Sequence, residues 1–159
     1  MSEATGTITP DGVRFERLYD ATPAELWAAL TDPEQIRGWL ANVSRWSLTP
    51  GAEWQIRFDD GSAGGEVVSV DEGRSLELTW VEQESESVLR FELRPQEQGT
   101  LLVLEHTRLA PASRPGFGAG WQAHLEALDA LLHGRPEPDW WARFRELRPV
   151  YESQAAPLR

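Results

Sequence analysis

The amino-acid sequence predicts an α+β fold in which a curved antiparallel sheet wraps around a long helix near the C-terminus. Residues 43–108 consist of short runs in which apolar and polar residues alternate, and turn residues separate these runs. This pattern is typical of antiparallel strands. Residues 120–132, GWQAHLEALDALL, form the longest uninterrupted helical pattern, with Trp121, Leu125 and Leu128 on one face. That apolar face needs a sheet to cover it, so the two patterns together predict the fold.

Before the sheet region, the sequence predicts one strand and a bent pair of short helices. Residues 13–20 largely alternate apolar and polar side chains, as a strand does. Thr22 is followed by a proline and, three residues after Thr22, by Glu25, which is the pattern of a helix start closed by a capping box. Asp32 and Pro33 repeat this device, so a second short helix is expected to follow the first at an angle.

The sheet region is predicted to form a meander together with the first strand. Because successive side chains of a strand point to opposite faces, one set faces the long helix and the other faces water. The six predicted strands cover residues 43–48, 53–58, 65–71, 75–82, 87–94 and 100–108. The residues predicted to face the helix are Trp54, Ile56, Phe58, Val68, Val70, Leu76, Leu78, Trp80, Leu89, Phe91, Leu93, Leu102, Leu104 and His106.

The chain around and after the long helix carries its own signals. The glycines of residues 110–120 are expected to loosen or kink the first turns of the helix, and Gly134 with Pro136 is expected to end it. Residues 140–151 predict a further helical segment that packs back on the domain. The apolar stripe of this segment is predicted to be Trp141, Phe144, Leu147 and Tyr151.

Composition and charge restrict the classes of function. A chain of 159 residues can fold as one domain with a sizeable core or an internal cavity. The formal net charge of −11 disfavours nucleic acid and anionic membrane surfaces as partners. The absence of cysteine excludes disulfides and thiolate chemistry. With no apolar leader or membrane-spanning run, the sequence predicts a soluble, cytoplasmic protein.

The sequence divides into three predicted parts. Residues 1–12 are small and polar and are expected to be a flexible lead-in. Residues 13–134 form the domain, and residues 135–159 form a C-terminal helical extension and tail that is expected to be disordered after Ser153.

Two stretches resemble the paired hallmarks of the activator of heat shock protein 90 ATPase homologue-like family, within the START-like SRPBCC superfamily. They are residues 19–40, YDATPAELWAALTDPEQIRGWL, and residues 120–134, GWQAHLEALDALLHG. The strand ends at Leu78-Thr79-Trp80 and Leu104-Glu105-His106-Thr107 are similar to that family's pattern as well. The resemblance implies a helix-grip fold, also called START-like or Bet v-like, with a largely apolar cavity between sheet and helix. Members of the superfamily include lipid and hormone binders, polyketide cyclases and co-chaperones, so the resemblance fixes no single reaction.

The eight tryptophans are the most unusual feature of the composition, and in a hollow fold they would form the walls of a pocket. We therefore predict that the domain binds a small hydrophobic molecule, or a partner protein, between the sheet and the long helix. The residues predicted to line the pocket are Trp27, Trp39, Trp54, Phe58, Val68, Leu78, Trp80, Phe91, Leu104, His106, Phe117 and Trp121. No catalytic residue, metal ligand or cofactor is assigned.

Three other functions stay open. His106 or His124, with pocket water and an acid, could serve a cyclase or hydrolase, although neither histidine has the spacing of a metal motif. The family name suggests a co-chaperone that stimulates a chaperone ATPase, with a role in the stress response. Exposed sheet edges or the Trp140-Trp141 segment could form a homodimer.

Overall fold

The computed structural model describes residues 3–156, and within that range it contains eight strands and four α-helices. The strands are β1 (Gly6–Ile8), β2 (Gly12–Tyr19), β3 (Asn42–Arg45), β4 (Glu53–Phe58), β5 (Gly61–Asp71), β6 (Ser75–Glu82), β7 (Ser85–Gln96) and β8 (Gly99–Thr107). The helices are α1 (Pro23–Thr31), α2 (Pro33–Ile36), α3 (Arg114–Leu132) and α4 (Trp140–Ala155), and a short 3₁₀ turn, Pro111–Ser113, precedes α3. All strands form one antiparallel sheet in the order β1-β2-β8-β7-β6-β5-β4-β3. The predicted α+β fold, a curved antiparallel sheet around a long C-terminal helix, is confirmed.

The bent helix pair forms because each helix has its own N-terminal cap. The hydroxyl of Thr22 accepts a hydrogen bond from the Glu25 backbone N–H at 3.1 Å, and the Glu25 carboxylate accepts one from the Thr22 backbone N–H at 2.8 Å. The Asp32 carboxylate then accepts from the Glu34 backbone N–H at 3.0 Å and starts α2. The Trp39 indole N–H donates to the Ala29 carbonyl at 2.8 Å and holds the two helices together. The predicted capping box and break are both confirmed.

The predicted flexible lead-in is partly wrong, because residues 6–8 form β1. Residues 1–2 of that lead-in lie outside the described residues. The backbone N–H of Gly6 donates to the Tyr151 hydroxyl at 3.0 Å, and the Gln154 side chain bonds both the Ile8 N–H and the Gly6 carbonyl. β1 forms a hairpin with β2, in which Gly6 pairs with Phe15 and Ile8 with Val13. Tyr151 and Gln154, about 145 residues away along the chain, hold the free edge of this hairpin against α4.

The prediction that Val68 faces the interior is also wrong. In β5, Val67 pairs with Leu78 and Ser69 pairs with Glu77, so Val68 is the extra residue of a β-bulge. A bulge moves the following side chains to the other face of a strand. Val67 is therefore buried, with 1% of its surface exposed, while Val68 is 44% exposed.

The long helix α3 begins at Arg114, because its glycines do not break it. A Cβ atom at Gly118 would lie 2.6 Å from Cδ1 of the Tyr151 ring, so glycine at this position lets α4 approach α3 closely. Along its length α3 fully buries Leu125 and Leu128 against the sheet and the other helices. The glycine-rich start of the helix is thus a packing surface.

The C-terminal extension forms α4 and packs back on the domain, as predicted. Leu147 and Tyr151 are fully buried. The helix continues to Ala155, beyond Ser153, after which the sequence predicts disorder, and residues 157–159 of that predicted tail lie outside the described residues. Trp141 is 42% exposed, so it does not belong to the buried stripe that the sequence predicted.

Candidate functional site

A cavity of about 600 Å³ lies between the sheet, α3, α4 and the segment that joins α2 to β3. Its volume falls within the range of small-molecule sites in proteins. Most of its inner wall is aromatic, and the rings are Trp39, Phe58, Trp80, Phe117, Trp121, His124, Trp140 and Phe144. The mouth carries the exposed ring of Trp141 and charged side chains that are exposed or half-buried, and these are Arg37, Arg57, Asp59, Asp60, Glu82, Glu137 and Arg148. The cavity therefore combines an apolar interior with a charged mouth.

Trp80 lies at the centre of the aromatic wall. Its ring centroid is 5.2 Å from that of Trp54 and 5.6 Å from that of Trp121, at tilted or edge-on angles. Its indole N–H donates to the Glu82 carboxylate at 3.0 Å. Inclined ring pairs at these distances are favourable beyond the apolar area they bury, so they stabilise this arrangement of the wall.

His106 lies behind this wall, and protein groups use both of its ring nitrogens. The Trp121 indole N–H donates to Nδ1 at 2.9 Å, and an indole can only donate, so the proton of the imidazole is on Nε2. Nε2–H donates to the Ser87 hydroxyl at 2.7 Å, which in turn donates to the Trp80 carbonyl at 3.1 Å. Burial lowers the pKa of His106 to about 3, so the ring is neutral at pH 7. His106 has no exposed surface, and the arrangement fixes Trp121 in the wall.

His124 is in the opposite situation, because it borders the cavity directly. Its Nδ1 lies 3.1 Å from the Trp39 carbonyl oxygen, which can only accept, so Nδ1 carries the proton and Nε2 carries a lone pair. Burial lowers the pKa of His124 to about 4, and the Trp39 carbonyl opposes this only in part. Among residues 3–156, Nε2 has no hydrogen-bond partner. The ring keeps accessible surface because it faces the cavity.

The outer wall of the cavity comes from α4. Trp140 stacks on Phe144 with ring centroids 4.9 Å apart, and it lies 5.1 Å from the His124 ring. The Trp140 indole N–H is buried and has no hydrogen-bond partner in the described part of the chain. The Arg143 guanidinium donates to both oxygens of Glu126 on α3, at 2.6 and 2.9 Å, and ties this end of α4 in place.

Two glycines of α3 create part of the space. Gly116 and Gly120 both line the cavity. A Cβ atom at Gly116 would lie 3.5 Å from the Arg148 guanidinium, and one at Gly120 would lie 3.5 Å from the Trp140 ring. These are ordinary van der Waals distances, so a methyl group would fit at either position, and it would take up cavity volume.

Some of the predicted lining residues border the cavity and others do not. Those that border it are Trp39, Phe58, Trp80, Phe117 and Trp121. Those that lie in the buried core and do not reach it are Trp27, Trp54, Leu78, Phe91, Leu104 and His106, while Val68 lies on the exposed face of the sheet.

The prediction missed the α4 side and the charged mouth of the cavity. Trp140, Phe144 and Arg148 lie on α4, and the alternation within the sheet carries no information about them. The sequence predicts His124 only as a candidate catalytic base, whereas the structure also makes it a wall residue. The sequence does carry a signal for His124, because this residue lies three positions after Trp121 and seven after Phe117, which places the three rings on one side of α3.

Neither a metal cluster nor a membrane span emerges from the described residues. Within residues 3–156, no three His, Asp or Glu side chains converge where a metal ion could bind. No helix in that range has the length and apolar character needed to cross a membrane.

Comparisons with known proteins place the fold and site in context. Residues 20–133 match the family model described as activator of Hsp90 ATPase homolog 1-like protein. Among solved structures, CalU16 from Micromonospora echinospora is 26% identical, with a TM-score of 0.78 over 90% of this chain and 87% of CalU16. MLL2253 from Mesorhizobium loti is 30% identical, with a TM-score of 0.71 over 77% of this chain and 97% of MLL2253.

DynU16, a protein of the dynemicin biosynthetic locus, is 25% identical with a TM-score of 0.70. The match covers 77% of this chain but 48% of DynU16, so the chain spans about half of that protein. No curated protein matches the sequence.

Proposed function

The chain belongs to the activator of Hsp90 ATPase homolog 1-like family, and we propose that it binds a small hydrophobic molecule in the cavity between its sheet, α3 and α4. The observation that carries this proposal is a cavity of about 600 Å³ whose inner wall is mostly aromatic. Such a wall in contact with water is costly, and an apolar occupant gains roughly 25 cal/mol for each Å² of apolar surface that it covers. Core residues nearby, such as Leu104 and Leu125, are fully buried, so the open space is local.

The C-terminal helix is part of the proposed site. The family match ends at residue 133, whereas Trp140, Phe144 and Arg148 of the cavity wall lie beyond it. We expect the part of the wall within the family match to provide a general apolar pocket, and α4 to select the occupant that this chain binds. The membership of DynU16 in a biosynthetic locus supports a small-molecule role for a protein of this fold.

An enzymatic function of the cyclase or hydrolase type is the second candidate, and His124 is the observation that favours it. A neutral imidazole with a free lone pair in a cavity could act as a general base. However, its pKa of about 4 makes it a weak base at pH 7, and its Nδ1 faces a carbonyl instead of a carboxylate. These features favour binding over proton transfer.

The binding proposal is tested with N-phenyl-1-naphthylamine, a neutral fluorescent probe. We expect one probe molecule per chain, quenching of tryptophan emission and a higher melting temperature. At a free probe concentration one hundred times Kd, the stabilisation is about 2.7 kcal/mol, or roughly 5 to 10 °C for a domain of this size.

Two variants at Gly116 provide the matched comparison. Gly116→Ala adds one methyl group to the wall, and Gly116→Leu fills much more of the cavity. Affinity for the probe should therefore fall in the order wild type, Gly116→Ala, Gly116→Leu, with folding checked by circular dichroism. Absence of probe binding to the wild type, or equal affinity for all three proteins, contradicts the proposal.

A further inference from the structure

The inner wall of the cavity offers few free polar groups. The indole N–H groups of three of its tryptophans are already used by the protein. Trp39 donates to the Ala29 carbonyl at 2.8 Å, Trp80 to Glu82 at 3.0 Å, and Trp121 to His106 at 2.9 Å. These donors hold the wall together and are not available to an occupant.

His124 is different, because its geometry leaves a hydrogen-bond acceptor facing the cavity. Since Nδ1–H donates to the Trp39 carbonyl, Nε2 can only accept. The rings of Phe58, Trp121 and Trp140 surround it at centroid distances of 6.4, 5.7 and 5.1 Å. An occupant of the cavity would cover this acceptor and shield it from water. Because an unpaired buried polar group costs about 1–3 kcal/mol, an occupant with a donor at this point binds better than one without.

We propose that His124 Nε2 accepts a hydrogen bond from a hydroxyl group on a neutral, planar aromatic ligand. This inference rests on the proposed function and names the class of ligand for the same cavity. The surrounding rings favour a flat aromatic body that can pack edge-on or offset against them. The single acceptor on their surface orients that body by its hydroxyl group.

The chemistry of the wall disfavours charged groups at this position. A carboxylate would direct lone pairs at the lone pair of Nε2 and would also lose its hydration. An ammonium group would be attracted to the ring faces but would lose its hydration shell, and the carboxylates that could balance its charge lie at the mouth. A phenolic hydroxyl has a pKa near 10, far above that of His124 at about 4, so its proton stays on the oxygen in the bound state.

The test compares 2-naphthol with 2-methoxynaphthalene. The two compounds share the ring system, but only 2-naphthol has a hydroxyl donor. Affinities of the full chain are measured by quenching of tryptophan fluorescence, and the ratio of the two dissociation constants is the readout. In the wild type, we expect this ratio to favour 2-naphthol more strongly than it does in a variant without the acceptor. The two ratios should differ by about fivefold to tenfold, which is the effect of one hydrogen bond.

Three variants of His124 separate the acceptor from other roles of the residue. His124→Asn keeps an amide N–H near the place of Nδ1 for the Trp39 carbonyl but has no group at the place of Nε2. His124→Phe keeps a ring against Phe58, Trp121 and Trp140 without the acceptor. His124→Gln places an amide oxygen near the position of Nε2. We expect the preference for 2-naphthol to be lost in the Asn and Phe variants and partly kept in the Gln variant.

The outcomes distinguish this inference from the function on which it rests. If both probes bind and a folded Asn or Phe variant keeps the wild-type ratio, the hydroxyl inference is overturned and cavity binding stands. If neither naphthalene probe nor N-phenyl-1-naphthylamine binds the folded wild type, the proposed function itself fails, and the inference fails with it.

Discussion

Replacing Gly118 by alanine tests whether close contact between α3 and α4 shapes the outer wall of the cavity. The new Cβ atom would lie 2.6 Å from Cδ1 and 2.9 Å from Cγ of Tyr151. Tyr151 has no room to move away, because it is fully buried and its hydroxyl bonds both the Gly6 N–H at 3.0 Å and Gln122 at 2.6 Å. The two helices must therefore separate, or these hydrogen bonds must break.

The expected magnitude is a difference between two opposing effects. Alanine is favoured over glycine inside a helix by about 1 kcal/mol, whereas overpacking a closed core costs about 1–3 kcal/mol and the strained hydrogen bonds add to that cost. We expect Gly118→Ala to lower the free energy of unfolding by roughly 1–2 kcal/mol, which corresponds to about 2 to 8 °C in melting temperature. Movement of α4 should also weaken binding of N-phenyl-1-naphthylamine.

Gly116→Ala is the matched control, because it lies on the same helix and its Cβ would meet only the flexible end of Arg148 at 3.5 Å. We expect this variant to be as stable as the wild type or up to about 1 kcal/mol more stable. Urea and thermal unfolding, followed by far-ultraviolet circular dichroism, measure both. If Gly118→Ala unfolds at or above the wild-type temperature, helix propensity alone governs this position and the packing argument is refuted.

Three further predictions concern the buried polar groups and the sheet. Because burial lowers the pKa values of His106 and His124 to about 3 and about 4, the unfolded chain binds more protons below pH 6.5, so the stability present above pH 6.5 is lost as pH falls toward 4. Between pH 6.5 and 5, urea unfolding should show a loss of roughly 2 kcal/mol per pH unit for the pair, because the unfolded imidazoles are only half protonated at pH 6.5. His124→Asn should reduce this slope by about half, and a flat profile would refute the assignment of two neutral imidazoles. Tyr151→Phe leaves a buried N–H of β1 unpaired and should lower the free energy of unfolding by about 1–3 kcal/mol. Faster amide hydrogen exchange in β1 is the specific signature, and unchanged exchange there would contradict the prediction. Val67→Asp should prevent stable folding because it buries a charge, whereas Val68→Asp should change the free energy of unfolding by about 0.5 kcal/mol or less. Equal effects of the two substitutions would show that the bulge is misassigned.

His106 and His124 show that the same side chain acquires opposite roles from its hydrogen-bond partners. The Trp121 indole and the Ser87 hydroxyl occupy both nitrogens of His106, which leaves nothing for a ligand. The Trp39 carbonyl occupies one nitrogen of His124 and leaves the other toward the cavity. Both rings are neutral at pH 7, so charge does not distinguish them. What distinguishes them is which nitrogen remains free.

The sequence by itself determined the parts of the molecule that depend on neighbours in the chain. The capping box of Thr22 and Glu25 involves residues three apart, and the strand alternation has a period of two. The apolar face of the long helix likewise requires only helical spacing. Local rules fix these elements. Because the apolar face of the sheet and the apolar face of the helix have to bury each other, the sequence alone predicts the fold.

The tertiary structure alone decided the features that depend on distant partners. β1 is held against α4 by bonds from Tyr151 and Gln154 to its backbone, and Val68 is exposed because one extra residue in β5 shifts the register. The cavity likewise depends on where α4 lies, since Trp140 becomes a wall residue only by docking beside His124. Hydrogen bonds and packing between residues far apart in the chain leave no periodic trace in the sequence, which is why the core was predictable and the outer half of the site was not.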